Sequence, residues 1–178
     1  PTRTSMPLTS SRWWPEWRQN QTLRIGIVMG MASATYFGAN AYIPDFLEQT
    51  GRHALISPAL ALLNGSQLLT APAVALWPQL LTGRAGFVGS AVLMAITQLG
   101  LVFTPGAAVL AWAFVLGFST ALAFVVVLSL PPRLAPAGGV ARMSAAIFTI
   151  QYMTAFVIPL IAGAFWDATG QALFAFVP

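Results

Sequence analysis

Ser33, Tyr36 and Asn40 stand three and four residues apart in one apolar run, so a helix there presents all three on one face. Asn64 and Gln67 share a face in the next run. Ser144, Phe148 and Gln151 share one in the fifth, with Tyr152 beside it. In the fourth run, Trp112 and Ser119 fall on one face with Thr120 adjacent. Amides, hydroxyls and phenols are costly against hydrocarbon, so such groups bond to a neighbouring helix or line a water-filled cavity. Lining a cavity, the amides of Asn40, Asn64, Gln67 and Gln151 would donate and accept hydrogen bonds. Tyr36, Tyr152 and Trp112 would supply aromatic walls, with Ser119 beside them. That is the chemistry of gripping an uncharged or weakly acidic solute. Thr97 and Gln98, in the third run, read as packing contacts.

The charged residues are equally informative by their positions. No Asp, Glu, Lys, Arg or His stands near the middle of any apolar run. An ionised group at the bilayer centre costs about 2.5–3.5 kcal/mol on insertion scales and is kept there only for work. The chain therefore offers no evident proton relay and no buried cation for an anionic substrate. It has no cysteine, a single histidine and four carboxylates. This set makes no thiolate or histidine metal centre and no clustered acids for an enzyme, so neither catalytic residues nor cofactors are expected. His53 falls in an exposed connection. Asp45 and Asp167, at the ends of the first and fifth runs, and Arg84, after the second, are gate or interface candidates.

These residues must be positioned by membrane helices. Of 178 residues, 57 % are hydrophobic and 7 % charged, against about a quarter charged in an ordinary soluble domain. The surplus apolar surface has to face lipid. The runs extend from Leu23 to Phe46, Ala54 to Leu81, Ala85 to Thr104, Ala107 to Leu130 and Val140 to Trp166, each long enough to cross as a helix. A sixth run opens at Ala172 and is about eight residues long where spanning takes about 20, so the sequence reads as a fragment at both ends. Gly, Pro and Arg mark the connections. Residues 1–22 form a basic, Trp-rich segment without a signal-peptide core, and 23–178 a transmembrane half-domain.

With the N-terminal segment in the cytoplasm, seven of the eight arginines fall inside and only Arg52 outside, which satisfies the positive-inside rule. Arginines scattered singly between apolar runs are not a nucleic-acid surface. Gly26, Gly30, Ala34 and Gly38 form a ridge that admits a close neighbour. Gln67-x-x-Thr70-Ala71 recurs as Gln151-x-x-Thr154-Ala155, at positions equivalent under a three-plus-three inverted repeat.

Three stretches carry a family likeness: Tyr36-Phe-Gly-Ala-Asn40-Ala-Tyr42-Ile-Pro44-Asp45 with Gly51; Leu130-Pro131-Pro132-Arg133 leading to Ala141-Arg142-Met143-Ser144; and Gly163-Ala-Phe-Trp166-Asp167-Ala-Thr169-Gly170. In these the chain resembles the C-terminal six-helix half of the major facilitator superfamily, most closely the bacterial cyanate/2-nitroimidazole-type branch. The resemblance implies an all-α membrane protein with five full helices and a truncated sixth, helices seven to eleven and the start of twelve. It implies alternating access in the bacterial inner membrane, with helices seven, eight, ten and eleven facing the site and helix nine outside. The implied partners are the bilayer, a small solute such as cyanate or a small heterocycle, and an N-terminal six-helix half from the same chain or a second copy. Pro78-Gln-Leu-Leu-Thr-Gly83-Arg84 lacks the Asp that the superfamily's loop carries there. The alternative expectation is a stand-alone half-sized membrane protein that self-associates or serves as a structural partner.

Overall fold

The computed structural model describes residues 14, 15, 17, 19–81 and 84–176, the side chains of Arg84 and Ala85 excepted. Most of the 1–22 segment, with Arg3, Arg12, Glu16 and Arg18, lies outside the described residues. Among those described, regular structure is entirely helical. Helix α1 is Asn20–Gln49; α2, Ile56–Gly65, passes through a 3₁₀ segment, Ser66–Leu69, into α3, Thr70–Leu76. There follow α4 (Arg84–Phe103), α5 (Val109–Leu128), the short α6 (Pro131–Leu134), α7 (Val140–Thr169) and the single turn α8 (Leu173–Phe176).

Among the described residues, four stretches are long and apolar enough to cross a membrane: His53–Leu76, Gly86–Phe103, Gly106–Leu134 and Val140–Thr169. The chain is thus all-α and membrane-embedded in character. The first apolar run is not among the four. Helix α1 has 30 residues, about 45 Å at ~1.5 Å per residue, but Arg24, Ser33, Tyr36, Asn40 and Asp45 dilute its hydropathy. Those polar groups suit its position, since α1 packs against α2, α5, α7 and α8 and buries Ser33, Thr35 and Gly38 among others.

Helices α1 and α7 run side by side in parallel. A methyl group at Gly26 would lie 2.8 Å from Ile150 Cβ, and one at Gly30 would lie 2.5 Å from Thr154 Cβ, so the small-residue ridge is what lets α7 approach. The second run, expected as one helix to Leu81, is broken. The 3₁₀ segment follows Gly65, Pro72 has no N–H to offer the Leu68 carbonyl, and Trp77, ahead of Pro78, leaves helical space at φ −128°, ψ 72°. Gly170, in the left-handed region at φ 69°, ends α7 with its N–H 2.7 Å from the Trp166 carbonyl.

The core divides in two. Ile43, Leu47, Leu63, Leu101, Val109 and Leu116 interlock α1, α2, α4 and α5. Met29, Val127, Met143 and Ile147, with Phe87 beside them, join the start of α1, α4 and α7 to the end of α5. Arg24, Arg133, Arg142 and the α4 start at Arg84 therefore gather at one end, and Asp45, Glu48, Arg52 and Asp167 at the other. At that second end Arg52 lies over the Phe46 ring, 5.0 Å from its centroid, and donates to the Thr104 carbonyl at 3.3 Å. His53 is exposed in a short 3₁₀ turn beside it.

Candidate functional site

A cavity of about 740 Å³ lies between α1, α5, α7 and the broken second run, and opens to the outside of the bundle. Its size is in the ~300–1,000 Å³ range of small-molecule sites. Helix α1 contributes Ser33 and Tyr36 to the wall, and the second run contributes Gln67 and Thr70. Thr120 comes from α5, and Gln151 and Tyr152 come from α7. No lining residue is charged, and α4 contributes none. A second, smaller cavity of about 330 Å³ between α1, α4 and α5 is nearly all apolar.

Of the residues expected to line a cavity, Tyr36, Gln67, Gln151 and Tyr152 do so. Asn40 and Asn64 stand behind Tyr36 instead. The Tyr36 hydroxyl donates to Asn64 Oδ1. Asn64 Nδ2 donates to Asn40 Oδ1 at 2.9 Å and to the Leu60 carbonyl at 2.8 Å, while Asn40 Nδ2 donates to the Tyr36 carbonyl at 2.9 Å. The three side chains satisfy one another and tie α1 to α2 just ahead of the 3₁₀ break. Asn40 and Asn64 hold one wall of the cavity in place rather than forming its surface.

Trp112 and Ser119 lie elsewhere. Trp112 Nε1 donates to Thr104 Oγ1 at 2.9 Å, and its indole fills the space where a side chain at Gly100 would project, 2.4 Å away. It is an α4–α5 packing residue. Ser119 is fully buried and donates to the Leu116 carbonyl at 3.0 Å. Its neighbour Thr120 is the α5 hydroxyl at the cavity. Thr97 donates to the carbonyls of Leu93 and Met94, and Gln98 reaches Thr35 Oγ1 at 3.4 Å, so both serve the α4 packing.

Gln151 is the most constrained polar group in the wall. Its Nε2 donates to Ser33 Oγ at 2.9 Å, and its Oε1 is buried with no partner. Thr70 Oγ1 is likewise buried and unpartnered. Leaving such an atom unpaired costs about 1–3 kcal/mol, a cost that a bound solute would remove. Phe37 and Phe124, which the sequence reading did not single out, add apolar wall.

Asp45 and Asp167 are exposed at one end of the bundle, both within electrostatic reach of Tyr42. Arg84 opens α4 at the other end, its side chain outside the described residues. These candidates are thus separated by the height of the bundle and cannot form one gate. Tyr42 itself carries a contact that the sequence does not reveal. Its hydroxyl donates to the Pro159 carbonyl at 2.6 Å, and a methyl at Gly163 would sit 2.3 Å from it. The phenol is thereby wedged at the proline of α7. Gly163→Ala is expected to cost about 1–3 kcal/mol by overpacking. Tyr42→Phe in that background should recover part of the loss, as read by a double-mutant cycle on thermal unfolding in detergent.

No protein-family model, curated protein or solved structure matches this chain.

Proposed function

We propose that the chain is the C-terminal half of a secondary transporter of the major facilitator type, carrying a small solute across a bacterial inner membrane by alternating access. One observation carries the reading. Uncharged polar side chains on four helical segments converge on one open-sided cavity, while the third apolar run, α4, stands aside. In the family likeness those four segments correspond to helices seven, eight, ten and eleven, and α4 corresponds to helix nine. A second six-helix half, from the same chain or another copy, would close the open side, and the N-terminal segment would be cytoplasmic. The break in the second run, at the cavity wall, suits a helix that bends as the two halves rock.

The test is uptake into proteoliposomes holding the intact protein, with a panel of small solutes under imposed ion gradients. Accumulation of at least one solute above the equilibrium level supports the reading; passive equilibration of all of them counts against it. A self-associating half without transport is the second reading, favoured by the large uncovered apolar face of Met153, Phe156 and Leu160 on α7. Failure of uptake together with a stable dimer in detergent would select it. Reporter fusions check orientation: one after Pro132 should read cytoplasmic and one after Arg52 external. The opposite labelling would reverse the topology.

A further inference from the structure

Among the described residues, three buried side-chain oxygens have no hydrogen-bond partner: Thr22 Oγ1, Thr70 Oγ1 and Gln151 Oε1. The last two belong to the wall of the same cavity. They also belong to the two copies of the Gln-x-x-Thr-Ala repeat, Thr70 to the first and Gln151 to the second. Gln151 is 2 % exposed and Thr70 is 3 % exposed, so bulk water does not satisfy either.

The type of atom left over decides what they can bind. Gln151 uses its amide nitrogen on Ser33 Oγ at 2.9 Å, which turns its oxygen into an unspent acceptor. The Thr70 hydroxyl can accept or donate. No Arg, Lys or His lines the cavity, so an anion would meet an acceptor oxygen with no compensating charge. Tyr36, Phe37, Phe124 and Tyr152 add flat ring surfaces beside these groups.

We infer that this repeat builds a subsite for a neutral solute with an amide, urea or lactam edge. Both oxygens lie beneath the cavity surface in this structure; as the Gln151 and Thr70 side chains turn into the cavity, an N–H of the solute donates to Gln151 Oε1 and a second polar atom pairs with the Thr70 hydroxyl. The inference rests on reading the cavity as the transport site, and it selects a neutral N–H donor over a small anion.

The experiment measures thermal stabilisation of the intact protein in detergent by uracil and nicotinamide. Their counterparts without N–H groups, 1,3-dimethyluracil and N,N-dimethylnicotinamide, and the anions cyanate and acetate are measured alongside. At least one N–H compound should stabilise the protein, with its methylated counterpart and both anions ineffective. Thr70→Val, which keeps shape and removes the hydroxyl, and Gln151→Leu should each weaken that binding about tenfold, the worth of one hydrogen bond. Stabilisation by the anions, equal stabilisation by the methylated compounds, no stabilisation by any N–H compound, or unchanged affinity in a folded Thr70→Val protein would each overturn the subsite. Proteoliposome uptake of the same compounds separates the two claims. Binding of an N–H compound without uptake removes the transport reading and leaves the subsite, whereas uptake of the anions alone does the reverse.

Discussion

Gly117→Ala should abolish uptake and lower thermal stability, although it adds one methyl group to a helix that would otherwise welcome it. A Cβ at this position of α5 would lie 1.8 Å from the Leu63 carbonyl oxygen and 2.4 Å from Ser66 Oγ. The obstacle is largely backbone, which cannot turn aside as a flexible side chain can. Helix α5 and the second run must separate, at a cost of about 1–3 kcal/mol or more. The displaced residues are those leading into Ser66–Leu69, the 3₁₀ segment that brings Gln67 and Thr70 to the cavity. Function should therefore fall further than stability. Gly89→Ala is the control, because nothing lies within 4 Å of a methyl there. It should be neutral or stabilise by about 0.5–1 kcal/mol through the helix preference for alanine. Melting curves and uptake rates for the two variants check this; tolerance of Gly117→Ala would show that α2 and α5 separate without cost.

Gln151→Leu should also eliminate uptake, with membrane insertion normal. Leucine fills nearly the same space, and the lost partner leaves Ser33 Oγ unpaired at a cost of about 1–3 kcal/mol, which a bundle of this size can absorb. What disappears is the acceptor in the cavity wall. Asn40→Leu should abolish uptake by a different route. It removes the oxygen that Asn64 bonds at 2.9 Å and so loosens the Asn64 amide to which the Tyr36 hydroxyl donates. Gln151→Leu should act on solute affinity, whereas Asn40→Leu should also lower the melting temperature. Wild-type uptake in either variant would remove that residue from the transport mechanism.

Much of this architecture is legible in the residues. The boundaries of α7 follow from Gly138-Gly139 before it and Gly170 after it, and the ridge of Gly26 and Gly30 marks α1 as a helix that admits a close neighbour, which the structure identifies as α7. The spacing of Tyr36, Gln67, Gln151 and Tyr152 placed them on faces that do meet at one cavity. Helix α5 shows why the rest was not legible. It is apolar around its whole circumference, so periodicity cannot say which stripe faces inward. One residue is about 100° of rotation, and that is the difference between Ser119, turned to the core, and Thr120, turned to the cavity. Trp112 fails for a related reason, because its partner Gly100 is a surface on another helix that no spacing within α5 encodes. The break at Ser66–Leu69 needed Gly65 and Pro72 to be read together with the close approach of Gly117, a contact between distant segments. For Asn40 and Asn64, spacing gives a face and not a depth, so it does not distinguish cavity surface from the support behind it.

Water should fill the cavity shared by α1, the second run, α5 and α7. Residues 1–178 contain no cysteine, so an introduced thiol is unique within them. Single cysteines at Phe37, Gln67 and Tyr152 would face the cavity. Those at Val92 and Ile96, about half exposed on α4, would face lipid. A charged, membrane-impermeant thiosulfonate attacks only a hydrated, ionised thiol, so its rate reports water at each position. Reaction at the three cavity positions should be at least about tenfold faster than at Val92 and Ile96. Equal rates across all five would contradict it.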